Sequence, residues 1–201
     1  MKFHCHICNF NTRRNFRLID HLNKNHLVTC KLMGGLGNQL FQIFTTIAYS
    51  IENKVNYILP NKYELIMANC TIRHTYWDSL LKNLQIGNDT SYFKLYKELQ
   101  FNYKKIPLLK KKKRITFFDT LKLQGYFQSY KYFDNYKNNI FNLIKLDEFK
   151  NEIKLKCDQF DFNNKYISLH FRIGDFVLYP NSHSLLKLSY YKNCLNYIIK
   201  K

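Results

Sequence analysis

The chain has 201 residues, 46% of them hydrophobic and 17% aromatic, so it can bury a core and is not an intrinsically disordered polypeptide. Its net charge of +18 is typical of nucleic-acid-binding proteins. The basic residues are spread along the whole chain, however, and the densest run, 110–114, lies between predicted elements, where a solvated loop is expected.

The first 27 residues carry the ligand pattern of a zinc finger. A Cys-x2-Cys pair is followed, after twelve residues, by His-x4-His; the four side chains are those of Cys5, Cys8, His21 and His26. Two thiolates on a hairpin and two imidazoles one helical turn apart can converge on one tetrahedral ion. The pattern predicts a small ββα finger over residues 1–27 with structural zinc. The alternative is a chance match in a chain with six cysteines and seven histidines.

The partner of such a finger stays open at this stage. In the usual DNA-docking geometry, the base-facing positions would be Arg14, Arg17 and Asp20, and arginine can read guanine. One finger covers only about three base pairs, too few for useful specificity. The finger could therefore make a weak contact to nucleic acid. The alternative is a zinc-stabilised unit that contacts a protein or is purely structural.

A glycine-rich turn separates a predicted strand, 28–33, from a predicted helix over about 38–52. Its residues are Gly34, Gly35, Leu36, Gly37, Asn38 and Gln39. Such a turn lets the backbone approach a ligand closely and directs free N–H groups at anions. The alternative is a tight turn that needs positive φ and binds nothing. The spacing is not the dinucleotide fingerprint, and no acidic residue ends the next predicted strand, 55–59.

A second loop of the same kind follows an alternating apolar pattern at Leu121, Leu123 and Tyr126. The loop spans 125–129, and a helical stretch is predicted after Tyr130. In an open parallel sheet, each strand delivers such a loop to the same edge. The sequence therefore predicts that this loop lies near the glycine-rich turn.

A third polar cluster, 170–176, follows an apolar run that predicts a strand over 165–169. Arg172 offers a planar, permanently charged fork that suits phosphate oxygens. Gly174 permits an unusual turn, and Asp175 could orient Arg172 or cap the helix predicted over 188–199. The alternative is a surface loop with a solvated salt bridge.

Taken in order, segments 34–42, 125–133 and 170–176 resemble the motifs of α-1,2-fucosyltransferases, glycosyltransferase family 11. Segments 73–78 and 188–191 are also similar to that family, and the resemblance covers residue 28 to the end. It implies an α/β, GT-B-type architecture of two Rossmann-like domains facing across a cleft. The acceptor-side domain would be 28–148, and 149–201 would begin the donor-binding domain.

The same resemblance implies transfer of L-fucose from GDP-fucose to the 2-hydroxyl of a galactoside, with inversion and without a catalytic metal. The implied catalytic residues are Arg172, which would face the charge developing on the leaving β-phosphate, His170 in the same pocket, and Asp175 as a candidate base. Many members carry two adjacent arginines where this chain has Arg172 and Ile173. The implied donor-binding residues are Gly34, Gly35, Gly37, Asn38, Gln39, Gln128 and Ser129.

Length and cysteine use set the remaining expectations. About 25 residues follow Asp175, too few for the rest of a donor domain, so weak or no turnover is expected of these 201 residues. Apart from the finger, the cysteines show no disulfide framework. Animal relatives are Golgi membrane proteins, but here no 18-residue apolar run or signal peptide is found, so no transmembrane segment and a cytoplasmic location are expected.

Overall fold

The computed structural model describes residues 3–4, 11–13, 26–66, 72–88, 94–108, 119–157, 161, 163–171, 173–174, 177, 181 and 184–200. The chain divides into two compact units, Met1–Lys156 and Cys157–Lys201. The boundaries predicted at residues 27 and 148 stay predictions.

The first unit is built on a parallel sheet. Strands β3 (His26–Cys30), β4 (Asn56–Tyr57), β9 (Lys94–Lys97) and β10 (Asp119–Gln124) lie in the order β4-β3-β10-β9, and all three pairings are parallel. After Ile58 the chain continues as β5 (Leu59–Pro60), which pairs in parallel with β8 (Ile86–Gly87). The predicted α/β class is confirmed, and the arrangement is compatible with a Rossmann-like fold.

The glycine-rich turn leads into helix α1 (Leu36–Asn53), which confirms the predicted helix and lengthens it slightly. Ile43 and Ile47 on this helix are fully buried, and they belong to one core with Val28, Leu121 and Leu123 of the sheet. Val28 lies opposite Leu121 in register. The apolar spacing of the sequence therefore identifies the helix face that covers the sheet.

Smaller elements complete the first unit. Strands β6 (Glu64–Ile66) and β7 (Ile72–His74) form an antiparallel pair, as do β1 (Phe3–His4) and β2 (Asn11–Thr12). Two 3-10 turns, Tyr130–Tyr132 and Asp134–Tyr136, follow β10. Helices α2 (Lys137–Leu143) and α3 (Leu146–Lys156) come next, and Ile140 and Ile144 join the core.

In the second unit, helix α4 (Leu188–Ile199) confirms the predicted helix. The prediction of a strand over 165–169 is wrong, because these residues have no strand structure and all are exposed. Within the described part of this unit there is no strand with which these residues could pair. A lone extended segment leaves its N–H and C=O groups to water and gains no stability from a ladder.

Candidate functional site

The glycine-rich turn lies at the carboxyl end of β3. Gly34 adopts a φ of 79°, and a Cβ there would collide with the side chain of Asn38. Gly35 caps α1 with its backbone only, and the first helical hydrogen bond runs from the Gln39 N–H to the Gly35 carbonyl at 3.0 Å. The first turn of α1 contains no acidic residue and no side-chain cap. Its N–H groups and the positive end of the helix dipole therefore favour an anion.

Two buried glutamine side chains form hydrogen bonds with the backbone of this turn and of Met33, the residue before it. Gln42 accepts from the Met33 N–H at 2.9 Å and donates to the Met33 carbonyl at 3.2 Å, so it replaces a strand partner. Gln39 donates to the carbonyls of Gly34, at 3.0 Å, and His74, at 2.9 Å. Both glutamines are fully buried, so the Gln39 side chain orders the turn and does not face the solvent.

The second loop follows β10 and is held by a carboxylate that the sequence analysis missed. Oε2 of Glu98 accepts hydrogen bonds from the N–H groups of Tyr126, at 2.7 Å, and Phe127, at 2.9 Å. Phe127 has a φ of 52° and is fully buried, and a Cβ on Gly125 would collide with the side chain of Glu98. Glu98 immediately follows β9, the strand beside β10. Only the pairing of these strands reveals its role.

The two loops meet. The Gln128 side-chain amide donates to Oδ1 of Asn38 at 2.7 Å, across 90 residues of sequence. Strands β3 and β10 are parallel neighbours, so the loops that follow them lie at the same carboxyl edge of the sheet. Open α/β sheets bind their ligands at this edge.

Two acceptor oxygens beneath these loops are buried and lack a hydrogen-bond partner within the described part of the chain. They are Oε1 of Gln39 and Oε1 of Glu98. Nearby, burial raises the pKa of Tyr96, and the charge of Glu98 adds to this. Burial is also the main cause that raises the pKa of Tyr132. These phenols therefore remain protonated donors at neutral pH.

The other predicted residues differ in where they lie. Ser129 precedes the first 3-10 turn and is half-buried. His170 lies exposed in the second unit. Arg172 and Asp175 fall outside the described residues, so their predicted meeting with the glycine-rich turn stays a prediction.

Of the four predicted zinc ligands, Cys5, Cys8 and His21 lie outside the described residues. His26 is the first residue of β3, opposite Asp119 of β10, and is 2% exposed. It thus belongs to the parallel sheet and not to the finger helix that the spacing suggested. Among the residues that the structure describes, no group of three or more metal-binding side chains is found.

No protein-family model matches this chain, and no curated protein or solved structure matches it either. No helix among the described residues is both long and apolar enough to cross a membrane. The features that bear on function are therefore the motifs and the edge of the sheet where two of them meet.

Proposed function

We propose that the protein binds GDP-fucose and acts as a galactoside α-1,2-fucosyltransferase-like protein. The observation that carries this proposal is the hydrogen bond between Asn38 and Gln128, which joins two of the three family-like motifs at the carboxyl edge of β3 and β10. Motifs that are far apart in sequence and adjacent in space are expected of a shared ligand site.

The glycines of the turn give a second line of support. The backbone conformation at position 34 requires glycine, since its φ of 79° is one that other residues rarely adopt. Gly37 is different, because it is the second residue of α1 and a Cβ there would contact nothing within 4 Å. Alanine is a better helix former than glycine, by up to about 1 kcal/mol in a helix interior. The fold does not require Gly37, but a diphosphate approaching the backbone closely would.

The charge of the turn suits the donor. A nucleoside diphosphate brings negative charge, and the first turn of α1 offers N–H groups with no acidic residue nearby in that turn. In the proposed reaction, the acceptor 2-hydroxyl oxygen forms a bond to C1 of fucose while the bond from C1 to the β-phosphate oxygen breaks. The bonding electron pair leaves with GDP, and the hydroxyl proton passes to a general base.

The residues of the third motif would serve the leaving group. Arg172 is proposed to stabilise the charge that develops on the β-phosphate, with His170 in the same pocket. Asp175 is proposed either as the base or as the residue that orients Arg172. Zinc has no role in this chemistry.

The proposal is tested by ligand-induced stabilisation. GDP-fucose should raise the melting temperature of the wild-type protein, because a ligand that binds only the native state stabilises it. Gly37→Ala should raise the melting temperature of the free protein and abolish the GDP-fucose shift. Asn138→Ala, at an exposed position of α2, should leave the shift intact. A full shift in Gly37→Ala, or none in the wild type, would overturn the proposal.

A second candidate function, a zinc-dependent binding module, is favoured by one observation. Phe3–His4 and Asn11–Thr12 pair antiparallel, so Cys5 and Cys8 lie in the chain that joins the two strands of a hairpin. We propose that this hairpin carries two thiolate ligands of a structural zinc, with His21 and His26 as the other candidates. Such a module would contact nucleic acid weakly or bind a protein.

Cobalt substitution tests the zinc site, since tetrahedral thiolate coordination gives characteristic visible absorption. Cys8→Ser should abolish the bands, whereas Cys157→Ser in the second unit should not. His26→Ala decides whether the first residue of β3 is a ligand. A signal that survives Cys8→Ser would refute the site, and salt-sensitive DNA or RNA binding lost with Cys8→Ser would identify the partner.

A further inference from the structure

A cleft lies beside the glycine-rich turn without including it. Its volume is about 450 Å³. It lies at the ends of β3 and β5 and along β6, and its lining reaches Met33 but none of Gly34, Asn38 or Gln128. The volume falls within the range of pockets that hold small molecules.

Three separate elements bring lysines to this cleft. Lys31 follows β3, Lys62 follows β5, and Lys122 lies within β10. Among the described residues, no carboxylate forms an ion pair with Lys31 or Lys62. Among the described lining residues the one acidic side chain is that of Glu64, which lies 3.9 Å from the imidazole of His74. The cleft therefore has an excess of positive charge.

The remainder of the lining is apolar. Leu32 and Leu65 are 6% and 7% exposed, and Pro60 lies beside them. An apolar wall suits the C–H face of a sugar ring, while ammonium groups suit a sulfate or carboxylate. A concave site of this size fits a small anionic molecule better than the backbone of a duplex.

We propose that this cleft binds an anionic saccharide, namely a galactoside that carries a sulfate or carboxylate group. The role as acceptor site rests on the proposed function, and it narrows the acceptor to a charged one. The donor would occupy the glycine-rich turn next to it, one residue beyond Met33.

The chain contains a natural reporter of this cleft. Trp77 is the only tryptophan, it is 4% exposed, and its indole N–H donates to the Lys62 carbonyl at 2.9 Å. A ligand that contacts Lys62 should therefore alter the tryptophan fluorescence.

The experiment titrates the full chain with galactose 3-sulfate, galactose and inorganic sulfate while following Trp77 fluorescence. Galactose 3-sulfate keeps the 2-hydroxyl free. It should bind at least about tenfold more tightly than galactose, because each charged hydrogen bond contributes about that factor. Inorganic sulfate should bind more weakly than the sulfated sugar.

A matched pair of double variants locates the binding. Lys31→Met with Lys62→Met should weaken galactose 3-sulfate binding by about a hundredfold, at about tenfold for each lysine. Lys156→Met with Lys192→Met removes the same charge at exposed positions outside the cleft and should leave binding unchanged. If both double variants lost affinity for galactose 3-sulfate equally, the net charge of the protein and not the cleft would be the cause, and the proposal would be overturned.

Other outcomes also overturn it. If galactose bound as tightly as galactose 3-sulfate, the anionic group would not contribute to recognition. If inorganic sulfate bound as tightly, the saccharide would not contribute. Displacement of galactose 3-sulfate by GDP, or by a single-stranded oligonucleotide, would assign the cleft to the donor or to nucleic acid. This titration contains no GDP-fucose, so its result does not depend on whether GDP-fucose raises the melting temperature. The two proposals can therefore be refuted separately.

Discussion

The two units of the chain differ in what they bury. In the first, a core extends through α1, β3, β5, β10 and α2. In the second, Tyr191 is the one buried side chain among the described residues, packed on Phe171 with ring centroids 4.5 Å apart. Yet both units contain a helix that the sequence predicts. A helix closes its own hydrogen bonds, whereas a strand needs a neighbour, so local pattern predicts helices in both units and strands only where a sheet exists.

The largest expected effect compares one isoleucine from each unit. Ile47→Ala, at a fully buried position of α1, should lower the free energy of unfolding by about 2–5 kcal/mol. Ile198→Ala, at a residue that is 48% exposed, should change it by less than about 0.5 kcal/mol. Urea denaturation measures both. Equal losses would show that α4 buries this face as fully as α1 does.

The next effect tests whether the carboxyl edge of the first unit depends on the two hydrogen bonds between Gln42 and Met33, which we call the glutamine clamp. Gln42→Ala removes both hydrogen bonds to Met33 and leaves the N–H and C=O of this half-buried residue without their side-chain partner. We expect a loss of about 2–4 kcal/mol, since each unsatisfied group costs about 1–3 kcal/mol. Gln128→Ala, at an exposed position where the side-chain amide donates to Asn38, should cost about 1 kcal/mol or less. Comparable losses would contradict the clamp.

A smaller effect is expected at Glu98. Glu98→Ala leaves the N–H groups of Tyr126 and Phe127 without their acceptor and should cost about 1–3 kcal/mol. Glu98→Gln keeps an acceptor oxygen and should recover much of that stability. The alanine variant should also weaken the GDP-fucose shift, because it frees the loop that carries Gln128. Recovery of stability without recovery of the shift would show that the charge itself acts on the ligand.

These residues also show how far the sequence could predict the site. The turn at Gly34 and the loop at Gly125 each have a local signature, and the parallel-sheet rule brings them to one edge, as observed. Glu98 has no such signature. Its function arises because β9 lies beside β10, a pairing between segments that are more than 20 residues apart. Gln42 reads as an ordinary helical residue until its contact with Met33 is seen.

The same reasoning explains the two places where sequence pattern and structure differ. His26 has finger spacing, but hydrogen bonding to β10 draws it into the sheet as the first residue of β3. The run at 165–169 has strand composition, but no described strand accompanies it. Pairing decides both outcomes, and pairing is a tertiary property that single-sequence periodicity does not contain.

The smallest expected effect separates the causes that raise phenol pKa values in the two units. Burial raises the pKa of Tyr57 in the first unit. In α4, the hydrogen bond with Cys194 is the largest cause that raises the pKa of Tyr190. Cys194→Ala should therefore lower the pKa of Tyr190 towards its usual value and leave that of Tyr57 unchanged. NMR titration of the ring carbons measures both.

The sign of the stability effect follows from these directions. A raised pKa means that the native state holds its phenol protons above pH 10, where unfolded tyrosines ionise. The native state then binds more protons than the unfolded state, so the free energy of unfolding falls as pH rises through this range. Cys194→Ala should reduce the part of this alkaline loss that belongs to Tyr190. A shift of Tyr57 in the same variant would mean that burial is not its cause and that the phenols of the two units titrate together.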